Sequence, residues 1–241
     1  MANAQSYMIC STPRTGSTLL CSLLKSSGIA GTPHSYFRRQ DIERYAHAYG
    51  IENLDSIENY KAYAKASIQK TSTENGIYGV RVMWGTLDEM VAGFEGKGAD
   101  REILESVFGA MKYVYLKRED TIAQAVSLLK ALQSDIWHVE SRAVKAQDEV
   151  IYCYDFDKLK ELVSEMEAHN LAWETWFKEN NIEPYRIVYE EYEKSPILET
   201  EKVLKQLGLS YELSELKAVN KKLSDAVSVE WIERYKQDIR N

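Results

Sequence analysis

Apolar residues along this chain gather into four short runs, each closed by a break and followed by a stretch of helical period. Tyr7-Met8-Ile9-Cys10 is the first, Ile77 to Trp84 reads IYGVRVMW, Lys112 to Arg118 reads KYVYLKR, and Tyr185 to Tyr189 is the last. Short apolar runs of this kind suit strands buried on both faces, as in a parallel sheet. After Pro13 and Gly16 the period changes, and Leu19, Leu20, Leu23 and Leu24 form a helical stripe ended by Gly28-Ile29-Ala30-Gly31. A short second strand is expected next, then a loop from Thr32 to Gln40. Polar, tyrosine-rich helices follow from Asp41, carrying Ile42, Tyr45, Ala46, Tyr49, Tyr60, Tyr63 and Ala64. Thr71 to Gly76 reads as a turn-rich linker and Gly93 to Asp100 as a surface loop. Asp120 predicts the N-cap of a helix carrying Ile122, Ala125, Val126, Leu129 and Leu132. Asp157 to Lys178 is a long helix with a core-facing stripe, stopped by Asn180-Asn181, and Pro196 to Leu207, closed by Gly208, is a packing helix.

Strands alternating with helices predict an α/β fold, three-layer α/β/α with a mainly parallel central sheet. At 241 residues and 44% hydrophobic, the chain suits one domain spanning 1–241, in which 41–70 form a helical cover over the acceptor side. A net charge of -7 argues against a nucleic-acid partner, so an anionic ligand must be held by a few local cations. No segment reaches the length of a membrane span, and Arg14 follows the first apolar run instead of preceding it. Neither a signal peptide nor a transmembrane helix is expected. Cys10, Cys21 and Cys153 form no paired pattern, which suits reduced thiols and a cytoplasmic protein.

The chemistry concentrates where the first run meets its helix, at Ser11 to Leu24, STPRTGSTLLCSLL. A loop between a strand's carboxyl end and a helix's amino end faces unpaired N–H groups and the positive end of the helix dipole, which favours phosphate or sulfate. Gly16 permits close backbone approach, Thr15, Ser17 and Thr18 add hydroxyls, and Arg14 adds a forked guanidinium. A Walker A loop would need an earlier glycine and a lysine before Ser17, and neither is present, so the loop lacks the equipment for magnesium-nucleoside triphosphate. Plain helix capping by Ser17 or Thr18 stays open as the alternative. Arg118 ends the third strand and Ser127 follows nine residues later on the helix, a second place to pinch a phosphate. His34 lies in a loop expected beside the same sheet edge and suits a general base towards a hydroxyl. Glu190-Glu191 has no further ligand at metal spacing, so no metal site is expected.

Arg14-Thr15-Gly16-Ser17-Thr18-Leu19 resembles the phosphosulfate loop of sulfotransferases that use 3′-phosphoadenosine 5′-phosphosulfate (PAPS), in particular the carbohydrate branch, where an arginine stands in place of lysine. GTPHSYFRRQD is similar to the same region of the Stf0-type family of trehalose, lipopolysaccharide and Nod-factor sulfotransferases. Arg81 and Trp84 match the family's glycine-basic-apolar-Met-Trp strand. LKREDTIAQAVS resembles the strand and helix that hold the donor's 3′-phosphate, and Gln133 and Trp137 resemble residues before the acceptor region. The resemblance implies a P-loop-like fold. It also implies a phosphosulfate on Arg14, Thr15, Gly16, Ser17 and Thr18 and a 3′-phosphate on Arg118 and Ser127. A C-terminal tail would fold over the nucleotide, with Lys222 where the family has arginine and Val227 where another arginine is usual. The family's glutamate base falls at Ser35, so the duty passes to His34, with Asp41, Glu43 and His138 as reserves. Tyr36, Phe37, Arg38 and Trp137 are the expected acceptor-binding residues.

The expected activity is metal-independent, in-line transfer of a sulfuryl group from PAPS to a hydroxyl of a carbohydrate or glycolipid, with His34 and Arg14 as catalytic residues. A homodimer stays open. The alternatives are a small-molecule P-loop-type kinase and a catalytically silent nucleotide- or sugar-binding protein.

Overall fold

Four parallel strands in the order β2-β1-β3-β4 carry the fold: β1 Gln5–Ser11, β2 Ile77–Met83, β3 Met111–Lys117 and β4 Tyr185–Val188. The computed structural model describes residues 5–134, 151–210 and 226–240. Side chains on β1 alternate between two cores, as a two-sided strand requires. Tyr7 and Ile9 enter one with α1 (Ser17–Ser26) and α9 (Pro196–Gln206), together with Val114, Leu116 and Ile187. Met8 and Cys10 enter the other, with α3 (Ile57–Thr71), α4 (Trp84–Ala92), α5 (Asp100–Phe108) and the end of α7 (Phe156–Glu179). The result is an α/β/α sandwich of P-loop type. A third cluster, apart from the sheet, is built by α6 (Thr121–Ser134), α7 and α10 (Ala226–Asp238) around Trp231 and Tyr235.

The chain leaves β1 for β2 on one side and returns past it to β3 on the other. The carboxyl ends of β1 and β3 therefore meet at a reversal of strand order, where open α/β sheets form their ligand crevice. Several expectations need correction. No strand forms before Thr32, because Gly28 and Gly31 both take φ of 70° and Pro33 has no N–H to give a ladder. A single bridge pairs His34 with Val80 instead, with the Arg81 amide donating to the His34 carbonyl at 3.0 Å. Trp84 opens α4 where the sequence placed it in β2, and its ring stands edge-on to Trp173 at 5.1 Å.

Residues 41–70 supply α2 (Ile42–Ala48) and α3, and the tyrosines of α3 face inward, with Tyr63 fully buried. Its hydroxyl donates to the Tyr36 carbonyl at 2.6 Å, tying this layer to the loop that follows α1.

Candidate functional site

β1 ends at Ser11, whose carbonyl accepts the indole N–H of buried Trp173 at 3.1 Å. The chain then turns sharply, with Arg14 at φ 64° and Gly16 at φ 81°. Positive φ at an arginine is uncommon and marks a backbone held by its surroundings. Gln124, fully buried on α6, does the holding, since its amide nitrogen donates to Thr12 Oγ1 at 2.8 Å and to the Pro13 carbonyl at 2.6 Å. The Thr15 hydroxyl turns inward to the Thr12 carbonyl at 3.0 Å. Gly16 is the N-cap of α1 and offers no capping side chain, so the first-turn amides of the helix face the loop's concavity.

Two guanidinium groups converge on this turn. Arg14 Nε donates to Ser127 Oγ at 3.0 Å, and Arg118 Nη1 donates to the Arg14 carbonyl at 3.3 Å. Burial first, and then the charge of Arg118, lower the Arg14 pKa, with Tyr189 acting the other way. Two guanidinium groups so placed repel each other, and an anion bound by both would relieve the repulsion. Arg118 is stacked on the Tyr189 ring, 4.4 Å from its centroid, and its Nε is buried with no hydrogen-bond partner among the described residues. Tyr189 begins the short helix α8 (Tyr189–Tyr192), and its ring also lies against Gly16, where an added Cβ would sit 3.1 Å away. Glu190 comes within 3.9 Å of Arg118 Nε but spends its two oxygens on the amides of Glu119 and Asp120, at 3.2 and 3.1 Å.

The second half of the site hangs on Arg81. Its Nη1 donates to Thr18 Oγ1 and its Nε to Ser35 Oγ, both at 2.8 Å, so one cation on β2 joins the anion loop to the loop carrying His34. His34 lies with Nδ1 3.1 Å from the Tyr45 hydroxyl. Partial burial, then Arg81, lower its pKa to about 4, with Arg38 and Arg44 adding to the effect and Asp41 opposing it. The imidazole is neutral at pH 7 and able to accept a proton.

The expected acceptor residues fare unevenly. Phe37 is only 2% exposed, ringed by Tyr60, Tyr63, Phe94 and Phe108, and has no face for a sugar. Tyr36 is 3% exposed, stacked on Tyr78 with its hydroxyl given to the Thr32 carbonyl. Both are core residues, because two adjacent aromatics in this loop gain more from burial than from solvent. Arg38 is exposed and paired with Asp41, which also takes Arg44 and so is committed elsewhere than to proton abstraction. Trp137, His138 and Lys222 lie outside the described residues, and Val227 packs against the third cluster. Gln133 joins its side-chain amide to both backbone groups of Cys153 at 2.7 and 3.0 Å, a structural tie. Sequence reasoning missed Gln124 and Tyr189. Gln124 had a signal, a polar residue among Ile122, Ala125 and Val126 on a buried helix, whereas nothing in the sequence singled out Tyr189. A cavity of about 280 Å³ lined by Arg101, Lys112, Tyr113 and Gln206 lies at the amino ends of β3 and β4, at the other end of these strands from the Arg14 turn. Among the described residues no cluster of His, Cys, Asp or Glu is arranged to hold a metal, and no helix is long and apolar enough to cross a membrane.

Comparison with known proteins identifies the family. Residues 6–238 match the family described as Stf0 sulphotransferase. A protein named trehalose 2-sulfotransferase from Mycolicibacterium smegmatis (strain ATCC 700084 / mc(2)155) is 27% identical, over 96% of this chain and 94% of the relative. One of the same name from Mycobacterium tuberculosis (strain ATCC 35801 / TMC 107 / Erdman) is 24% identical over the same shares. Among solved structures, the sulfotransferase domain from the curacin biosynthetic pathway superposes with a TM-score of 0.50 at 16% identity, covering 92% of this chain and 81% of that one, a likeness of fold.

Proposed function

The chain belongs to the Stf0 sulphotransferase family, a family of enzymes, and on that premise we propose that it transfers a sulfuryl group from PAPS to a hydroxyl of a carbohydrate or glycolipid headgroup. The observation that carries the donor reading is the meeting of Arg14, Arg118 and Ser127 at one turn, with a buried guanidinium N–H on Arg118 that no group among the described residues accepts. A 3′-phosphate fits that need, since charge-assisted bonds from arginine to phosphate are strong and directional. Arg14 is thereby drawn to the 3′-phosphate side by its bond to Ser127. The 5′-phosphosulfate takes the amides of α1 and the hydroxyls of Ser17 and Thr18.

Arg81, tied to Thr18, then supplies the cation nearest the sulfuryl group. In the reaction the acceptor oxygen attacks sulfur in line, its proton passes to His34, and the bridging S–O bond breaks with its electron pair going to the phosphate. Arg81 and the helix terminus stabilise the charge that moves onto the leaving oxygen. The acceptor class is drawn from the trehalose 2-sulfotransferases that the chain resembles, and the exposed His34 and Arg38 give a polar mouth on that side.

Calorimetric titration with adenosine 3′,5′-bisphosphate, ADP and ATP, each with magnesium and with chelator, tests the donor. Preferential binding of the bisphosphate in chelator is the expected result. Binding of magnesium-ATP alone would replace the reading with a kinase, and no nucleotide binding at all would replace it with a silent binding protein. Trehalose heads the acceptor screen.

A further inference from the structure

We propose that the corner Tyr189–Glu190 at the end of β4 positions Arg118 for the nucleotide's 3′-phosphate, and the inference rests on the donor reading above. Arg118 stands at the end of β3, where its backbone leads into α6. A long side chain there has many rotamers, and losing that freedom on binding would weaken any phosphate contact. The corner removes the freedom in advance. The Tyr189 ring carries the flat face of the guanidinium at 4.4 Å, a contact that an arginine makes without spending its in-plane N–H donors. Those donors are left to act edge-on: Nη1 reaches the Arg14 carbonyl, and Nε is buried and unpartnered among the described residues.

Glu190 fixes the other end of the lever. Its carboxylate accepts from the amides of Glu119 and Asp120, the two residues after Arg118, across 71 and 70 positions of sequence. At 3.9 Å it stands too far from Nε for a hydrogen bond, so it holds the turn without consuming the arginine's donor. Gly16 allows the arrangement, because any Cβ there would press on the Tyr189 ring at 3.1 Å. The segment that follows β4 thus acts on the donor site through Arg118, though it carries no phosphate-binding pattern of its own.

The test measures affinities of adenosine 3′,5′-bisphosphate and adenosine 5′-monophosphate for the full chain and for Tyr189→Leu, Tyr189→Phe and Glu190→Gln. The wild type prefers the bisphosphate by at least about tenfold. Tyr189→Leu loses about tenfold in bisphosphate affinity and less than about twofold in monophosphate affinity, and Tyr189→Phe, which keeps the ring, restores most of it. Glu190→Gln loses roughly threefold to fivefold, again confined to the bisphosphate, and decides the matter if Tyr189→Leu does not fold. Equal losses on both nucleotides, or failure of phenylalanine to rescue, would overturn the proposal. So would a gain in bisphosphate affinity in Glu190→Gln, since Glu190 would then be a competitor of the phosphate. A wild type without preference between the two nucleotides would overturn the donor reading, and this proposal with it.

Discussion

Replacing Arg81 by methionine separates the two loops that this residue joins. Methionine keeps the apolar stem and removes a charge with its donors to Thr18 and Ser35, each now 2.8 Å from a nitrogen. Ser35 is 3% exposed, so its hydroxyl loses its partner in a place water does not easily reach. An orphaned buried polar group costs about 1–3 kcal/mol, which in a domain of this size lowers Tm by roughly 2–12 °C. His34 responds as well. Burial and then Arg81 hold its pKa at about 4. Removing a unit charge from beside a partly buried group, at an effective dielectric near 20 and with screening at the exposed edge, is worth about one pKa unit. Burial is untouched, so the midpoint rises but stays below the usual histidine value of about 6.5.

The sign for stability follows by linkage. Between the folded pKa of about 4 and the unfolded value of about 6.5, the unfolded chain binds a proton on His34 that the folded chain does not. Stability therefore falls as pH drops through that window, and Arg81→Met narrows the window from below. Proton NMR of the His34 ring, assigned with His34→Asn and followed from pH 3 to 8, reads the midpoint directly. A His34 midpoint that stays at about 4 or falls in Arg81→Met would refute the electrostatic link between β2 and the loop.

Three further outcomes are expected. His34→Ala lowers turnover by roughly 10²–10⁴-fold in a sulfuryl-transfer assay while bisphosphate affinity stays within about twofold, and an unchanged turnover removes His34 from the mechanism. Arg118→Ala weakens adenosine 3′,5′-bisphosphate by roughly 10- to 100-fold and leaves adenosine 5′-monophosphate nearly untouched by calorimetry, whereas parallel losses would place Arg118 elsewhere. Gly16→Ala combines a strained φ of 81° with a methyl 3.1 Å from Tyr189, so Tm drops by roughly 2–8 °C, and an unshifted melting curve would mean that the turn relaxes freely.

The scaffold was legible because its signals are local. Each strand is a short apolar run and each following helix a change of period, so the sheet, the turn after β1 and the N-cap at Asp120 all stand where the residues put them, the last with its carboxylate accepting from Ala123 N at 2.8 Å. The placement of the candidate residues was legible where element order sufficed, as for Arg118 just after β3 and Ser127 on α6. It was illegible where a contact spans the chain, as with Arg14 and Ser127, 113 positions apart, or Tyr189 under Arg118. Tyr36 and Phe37 misled because an aromatic pair in a loop beside a ligand crevice reads equally as a platform or as core. The choice is made by α3, whose Tyr60 and Tyr63 close over Phe37.

At position 34 itself the loop is moored to β2 by a peptide carbonyl, and the Arg81 side chain adds its bond to Ser35 next door. Its anchorage is thus blind to which residue occupies the position. Position 34 is a socket, and position 35 beside it faces the Arg81 guanidinium, which donates to the Ser35 hydroxyl. On the proposed mechanism the backbone thus presents His34 at the mouth of the crevice, and His34→Ala removes the ring while the bond from the Arg81 amide stays in place.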